Sequence, residues 1–397
     1  MNQYLKIIKS NLCYQIYTIK SMLSNISIKE VTTKKDLRDF VKFPYKLYAH
    51  NPYWIPQIDN DEIKNISKDS NPAFDFCDAK YWLAMKDGEI VGRIGGIINR
   101  RYNEKVGKNC ARFSQVDFIE DPSVLEALLK TVEDWAKAQG SVLIHGPFGF
   151  TDMDPEGMLV EGFEELGTIA TIYNHPYYPI EMEKNGYKKE IDWIEYELIP
   201  PKIIPEKVER IAQTVLERYH LKVLKLKKSK ELMPYAHEIF AVLNSCYEDL
   251  HGFVSLTDKQ IDMYIKQYFG FIIPDYVPIV VDEHNKVVAF GITMPSLSKA
   301  FQKANGRLFP FGFIHILRAM KNNNRADLYL TGVRPDYQDK GVNAIMMCEM
   351  NKVYLKYKIE VVESNPELET NSKVQAQWRF YEKRQHKRRR CFIKMLD

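Results

Sequence analysis

The sequence predicts an α/β chain in two successive halves, each a mixed, mostly antiparallel sheet flanked by helices. Three observations carry this. Both halves read in the same order: helices, a β-hairpin, a strand, a helix, a strand, a helix and a last strand. Between them lies IPPKIIPEK at 199–207, three prolines in nine residues, which reads as a linker. The 397 residues, 45% hydrophobic and 27% charged, are ordinary globular material with enough apolar surface for full-sized cores. The expected divisions are an extension over 1–25, a first domain over 26–200 and a second over 201–397.

The elements follow in order. Residues 1–25 place Leu5, Ile8, Leu12, Ile16, Ile19 and Leu23 on one helical stripe. Lys9, Asn11 and Gln15 interrupt any apolar run, so the segment does not read as a signal peptide. Alternation over 26–31 predicts a strand, and 34–47 a helix. The stretches 81–85 and 89–93 flank Lys86-Asp87-Gly88, a hairpin turn, and the second continues toward 99. A strand over 111–118 precedes a helix over 122–139, where Leu125, Leu128, Leu129, Val132 and Trp135 share one side and Gly140 ends it. A buried strand over 141–144 leads into the Gly- and acid-rich GPFGFTDMDPEGMLVEGF, then a segment at 176–185 and a strand over 193–198. The second half predicts helices over 233–250 and 258–268, a hairpin from 279–282 and 286–296, and a strand over 327–333. A helix over 341–357, a strand over 359–363, a helix over 373–383 and a strand over 389–395 complete it.

The bulk chemistry excludes several classes. A net charge of +4 is too mild to argue for nucleic-acid binding. Six cysteines, at 13, 77, 110, 246, 348 and 391, form no CxxC and have no His cluster at zinc spacing. They read as reduced thiols in a cytoplasmic protein with no metal. The longest strongly apolar stretch, 308–317, is about half of the roughly 20 residues a membrane span needs.

The informative stretch is TGVRPDYQDKGVNAIMMCEM, 331–350. An apolar strand stops at Pro335, and a polar turn with Gln338, Lys340 and Gly341 opens a helix. The first N–H groups of that helix lack intrahelical partners and the dipole adds positive charge, so the turn is an anion site. Gly341 permits close backbone approach. Val342, Met346, Met350, Val353, Tyr354 and Tyr357 form one stripe that would seat the helix on the sheet. The turn is neither a Walker loop nor GxGxxG.

The spacing of Val333, Arg334, Pro335, Gln338, Gly341 and Ala344 resembles the pyrophosphate loop of GNAT-type N-acyltransferases, with Asn343 in place of the second glycine. The element order of both halves resembles tandem GNAT proteins, and the chain as a whole is similar to the bacterial ceramide-synthase group. The resemblance implies acyl-coenzyme A as co-substrate. Its pyrophosphate would meet Gln338, Asp339, Lys340, Gly341, Val342, Asn343 and Ala344, and its thioester would lie along Leu330, Thr331, Gly332 and Val333. In the first half the equivalent loop holds Glu120 and Asp121, which would repel an anion. That half therefore reads as degenerate.

The resemblance further implies a carboxylate base and a tyrosine acid. Glu369 and Tyr381 are the candidates, and Asn371 reads as an N-cap. Tyr177 and Tyr178 are candidates for lining the acceptor pocket. The apolar insertion 299–325, with Phe311 and Phe313, reads either as inter-domain packing or as the wall of a lipid site at a membrane surface. The basic run 383–390 is placed in a turn, available to a phosphate or an anionic membrane. The expected function is acyl transfer to an amine, such as a sphingoid base, with contact to the inner membrane face. A non-catalytic tandem binding protein and an aminoacyl-tRNA-dependent ligase are the alternatives, nucleic acid being the lowest-ranked partner.

Overall fold

The computed structural model describes residues 26–396, so the apolar stripe over 5–23 lies outside the described residues. Its strands are β1 (Ile26–Glu30), β2 (Cys77–Lys86), β3 (Glu89–Asn99), β4 (Cys110–Phe118), β5 (Leu143–Gly146), β6 (Met158–Glu161) and β7 (Lys188–Ile199). The second half adds β8 (Lys222–Val223), β9 (Ile279–Val281), β10 (Val287–Pro295), β11 (Arg325–Val333), β12 (Val361–Glu363), β13 (Glu367–Leu368) and β14 (Glu382–Met395).

All fourteen join one continuous sheet, in the order β1-β2-β3-β4-β5-β14-β7-β12-β11-β10-β9-β8, with β6 beside β14 and β13 beside β7. Only β4–β5 and β11–β12 run parallel among the described strands. Each half therefore builds an antiparallel meander that ends in one parallel pair. The last strands are then exchanged. β5 is flanked by β14 from the other half, and β12 by β7. β7 and β14 pair from Ile199↔Glu382 to Lys188↔Ile393 and form the seam of the molecule.

That seam corrects the reading of the basic run. Residues 383–390 are not a turn but the middle of β14, facing an acidic strand. Lys387 and Arg389, each 1% exposed, both pair with the fully buried Glu195, and Lys387 also reaches Glu363. Arg388 and Arg390 hold Asp192 at 3.2 and 2.9 Å. Arg384 is taken by Glu165 at 2.6 Å. Burial pushes the Glu195 carboxyl up, but Arg389 and Lys387 more than offset it and hold it down at about 2. Lys387 and Arg389 are thus spent inside the fold, and Arg388 and Arg390 are paired at its edge, whereas Lys383 and Arg384 stay exposed at the start of the strand.

Three further expectations shift. The helix expected over 373–383 is a single α-turn, Ser372–Gln375, and a 3-10 turn, Ala376–Phe380. Trp378 buries in the core there, and pairing with β7 draws the chain into β14 from Glu382 onward. The proline-rich connection is shorter than 199–207, because Ile199 still belongs to β7 and a helix over Glu206–Arg218 starts directly after Pro205. Its Val208, Ala212 and Val215 pack in the same core as Val342, Ile345 and Met346 of the Val342–Tyr357 helix. The 233–250 prediction narrows to a helix over Ala236–Tyr247.

The insertion folds as two short helices, Ser298–Ala304 and Gly312–Lys321. It leans on the first half. Gln302 Nε2 donates to the carbonyls of Pro52 and Trp54 at 2.8 and 3.0 Å. The Asp59 N–H donates to the Gly306 carbonyl at 3.0 Å. Among the described residues, no helix is long and apolar enough to cross a membrane.

Candidate active site

β11 and β12 stay paired only from Arg325–Asp327 to Val361–Glu363. Past Asp327 they diverge, so Leu328–Val333 keeps β10 on one side and opens onto a notch on the other. Ile292 faces Leu330 and Thr293 faces Leu328, which leaves Tyr329 as the extra residue of a β-bulge. The carbonyls of Tyr329 and Thr331 turn away from β10. They accept hydrogen bonds from Asn365 Nδ2 and from the Tyr247 hydroxyl, the latter at 3.1 Å.

A 3-10 turn, Pro335–Tyr337, carries the chain to Gly341, whose φ of +82° suits glycine. No side chain caps the helix that follows. The backbone N–H groups of 339–343 donate to no acceptor among the described residues, whereas Ala344 N–H returns to the Gly341 carbonyl at 2.9 Å. A Cβ at Gly341 would stand 3.1 Å from Val215 Cγ2, so a larger residue there would press on that side chain. Five open amides at the start of a 16-residue helix match a diphosphate in charge and donor count.

Gln338, Asp339, Gly341, Val342 and Asn343 line the notch together with Leu330–Val333. Lys340 and Ala344 are not among the lining residues. The Lys340 ammonium sits over the rings of Tyr219 and Tyr337. Gln338 Nε2 is turned back to the Val333 carbonyl at 3.1 Å. Asp339 pairs with Lys373 at 3.1 Å.

The first half closes the equivalent start. Asp121 caps the Pro122–Ala138 helix by accepting from Ser123 N–H at 3.1 Å, and pairs with Lys86 at 2.8 Å. Around its parallel pair, Arg93 and Asp117 form a buried ion pair at 2.7 Å. Tyr178, fully buried, bonds the Tyr48 hydroxyl and Phe118 N–H, both at 3.0 Å. Tyr177 donates to the Phe118 carbonyl at 2.6 Å. Tyr178 borders a cavity of about 110 Å³, and neither tyrosine lines the large cleft.

That cleft has a volume of about 2250 Å³, well above the ~300–1,000 Å³ usual for small-ligand sites. One arm is the notch. The other is apolar, between Ile292, Met294 and Leu328 of the sheet and Leu308, Phe313, Leu317 and Met320 of the insertion. Its mouth carries Phe309, 77% exposed, and beside it Phe311, 70% exposed. Phe313 lines the cleft and Phe311 does not.

The predicted acid–base pair lies elsewhere. Glu369 is held by Lys189 at 2.6 Å and Arg388 at 3.2 Å, and is not among the cleft-lining residues. Tyr381 is a core residue whose hydroxyl donates to Asn351 Oδ1 at 2.7 Å. Asn371 does cap its helical turn, accepting from Val374 N–H. Glu367, two residues from Glu369, lines the cleft and is 8% exposed. Its Oε1 accepts from the Trp378 indole at 2.6 Å, and its buried Oε2 has no partner. Burial pushes this carboxyl up to about 7. No spacing in the sequence distinguishes Glu367 from Glu369; only the seat of Trp378 does. Tyr247 was likewise invisible, since nothing local links it to Thr331. Elsewhere, His145, Glu190 and His251 bring three potential metal-ligand atoms within 4.8 Å of one another.

No family model matches the chain. Two proteins are similar over most of its length. Protein YghO of Escherichia coli is 29% identical over 352 residues, 87% of this chain and 89% of that protein. A bacterial ceramide synthase of Caulobacter vibrioides is 25% identical over 322 residues, 79% of this chain and 82% of that protein. Among solved structures, a tandem GNAT protein from the clavulanic acid biosynthesis pathway superposes with a TM-score of 0.52 at 10% identity, covering 94% of this chain and 99% of that one. A GCN5-related glucosamine N-acetyltransferase region of a fungal multi-domain beta-N-acetylglucosaminidase gives 0.54 at 11% identity, covering 94% of this chain and 38% of that one. The splayed parallel strands, the uncapped helix start and these superpositions agree: the chain has the tandem GNAT fold.

Proposed function

We propose that the protein is an N-acyltransferase that moves a long acyl group from acyl-coenzyme A to a long-chain amine of the sphingoid-base type. One observation carries the reading: five open amides stand at one end of a cleft of about 2250 Å³ whose other arm is apolar. The similarity to a protein named bacterial ceramide synthase supports the acceptor class.

Bound acyl-coenzyme A supplies the activated acyl carbon. The amides of 339–343 hold the diphosphate, and Lys340 adds charge nearby. The notch-facing backbone of 329–333 orients the acyl carbonyl. Glu367 fits the base better than Glu369, because it lines the cleft, its Oε2 is free and its carboxyl is pushed up to about 7. It takes the proton that the attacking amine must lose. Tyr247 fits the acid better than Tyr381, because its hydroxyl sits on the Thr331 carbonyl. The apolar arm excludes water and receives an alkyl chain.

The mouth supports contact with a bilayer. Phe309 and Phe311 stand exposed beside the cleft entrance, on an insertion that also carries Arg307, Arg318 and Lys321. The test is incubation with sphinganine and a C16 acyl-coenzyme A, followed by mass spectrometry of the amide and titration of released thiol. Formation of the N-acyl product, with weak use of acetyl-coenzyme A on soluble amines, is the expected result. The reverse preference rejects the lipid acceptor. Absence of saturable coenzyme A binding in calorimetry rejects the transferase.

A further inference from the structure

The acid-rich turn between β5 and β6 comes from the half whose own helix start is capped, yet it reaches the cleft of the other half. Asp152, Asp154 and Glu156 all line that cleft, joined by Glu62 from the Asp59–Asn65 helix. Asp154 is structurally employed: it accepts from the N–H groups of Phe150 and Thr151 at 2.8 and 3.1 Å and from Asn65 Nδ2 at 3.0 Å. Asp152 and Glu156 have neither a hydrogen-bond donor nor an ion-pair partner among the described residues. The nearest cations are engaged elsewhere. Arg112 donates to the carbonyls of Gly149 and Gly252 at 3.0 and 2.9 Å, and Lys105 to that of Phe253 at 3.0 Å. His251 lies against Glu190 at 3.4 Å.

Unpaired carboxylates facing a largely apolar cavity are costly unless a cation arrives. Burial, and for Glu156 also its neighbour Asp152, pushes both carboxyls well above their ordinary range. An independent feature points to the same missing cation. Glu367, more than nine-tenths buried in the same cleft, holds Oε2 without a partner. Asp152, Glu156 and Glu367 line the same cleft as Tyr247, whose hydroxyl donates to the Thr331 carbonyl on β11 and feels the charge of both Asp152 and Glu367.

We propose that Asp152 and Glu156 form the subsite that takes the cationic head of the acceptor, a primary ammonium on an alkyl chain, and deliver it to Glu367. This rests on the reading that the acceptor is an amine. The first half thus contributes the acceptor site to a cofactor loop carried by the second, and the exchanged strands fix the distance between them. Residues 152–156 orient the ammonium, while the chain behind it runs along the apolar arm.

The test is binding of decylamine and of decanol to the full chain at pH 7.5, read by intrinsic tryptophan fluorescence, to which the cleft-lining Trp193 and Trp378 contribute. The probes share an alkyl chain and differ in charge. Wild type should bind the amine at least tenfold more tightly than the alcohol. Asp152→Asn with Glu156→Gln should lose that preference while keeping the alcohol affinity. Equal binding of both probes by wild type overturns the subsite, as does a preference retained in the double variant. Glu156→Gln alone, checked by thermal melting, guards against misfolding and should give a partial loss. The two readings fail separately. A carboxylate-dependent amine preference without acyl transfer removes the transferase and keeps the cation site. Acyl transfer with an unchanged amine KM in the double variant does the opposite.

Discussion

Replacing Glu367 by Gln separates chemistry from stability, because the two should move in opposite directions. The side chain is 8% exposed and its carboxyl rises from 4.5 to about 7 through burial, which outweighs the Trp378 hydrogen bond. A raised value in the fold means that the favourable contribution is fully present below the unfolded value. It is lost as pH rises through about 7, where the buried group must ionise. That loss is about 3 kcal/mol, on the order of 1.4 kcal/mol for each tenfold change in proton affinity. The amide keeps an acceptor for the indole and cannot ionise. Urea unfolding should therefore show the variant roughly equal to wild type at pH 4.5 and more stable by about 3 kcal/mol at pH 8.5. Its rate of thiol release should nonetheless fall by about 10²–10⁴-fold, the usual worth of a general base. Wild-type kcat/KM should rise tenfold per pH unit up to about 7 and then level, with that limb absent in the variant. Activity within threefold of wild type, or a loss of activity that tracks a loss of stability, refutes the assignment.

Further outcomes follow from the same geometry. Gly341→Asp places a carboxylate among the open amides and a Cβ against Val215, at a φ of +82°; calorimetry should show coenzyme A binding weakened by at least about tenfold. Glu195→Ala leaves Arg389 without a carboxylate in the seam and Lys387 with Glu363 alone, and should cost about 3–5 kcal/mol in urea unfolding. Because the Glu195 carboxyl is held down at about 2, its contribution is present above its ordinary value of 4.5 and is lost as pH falls toward 2, so the variant's deficit should shrink on acidification. Phe309→Ser with Phe311→Ser removes the exposed aromatic pair and should reduce sedimentation with anionic phosphatidylglycerol vesicles several-fold; unchanged sedimentation would count against the bilayer face.

How much was legible depends on how local each feature is. The strand 327–333, the turn at Pro335 and the helix at 341–357 are written in neighbouring residues, and the structure forms them as Arg325–Val333, Pro335–Tyr337 and Val342–Tyr357. Gly341 has the positive φ that its place in the turn required. The basic run illustrates the opposite case. Seven of the eight residues Lys383-Arg-Gln-His-Lys-Arg-Arg-Arg390 are basic, and in sequence they look like a solvated patch. Their partners Asp192, Glu195 and Glu165 lie some two hundred residues upstream, and no local pattern reveals that neutralisation. The short helical turn before Tyr381 has the same origin, since pairing with β7 decides where β14 begins.

By itself the sequence determined the element order, the repeated architecture and the glycine turn before the Val342–Tyr357 helix, because hydrophobic periodicity and turn chemistry act within a few residues. Tertiary structure alone decided the exchange of β7 and β14, the placing of Glu367 and not Glu369 in the cleft lining, and the presence of Asp152 and Glu156 in that same cleft. Each of these depends on which distant groups share a buried space, where the cost of an unpaired charge selects the partner.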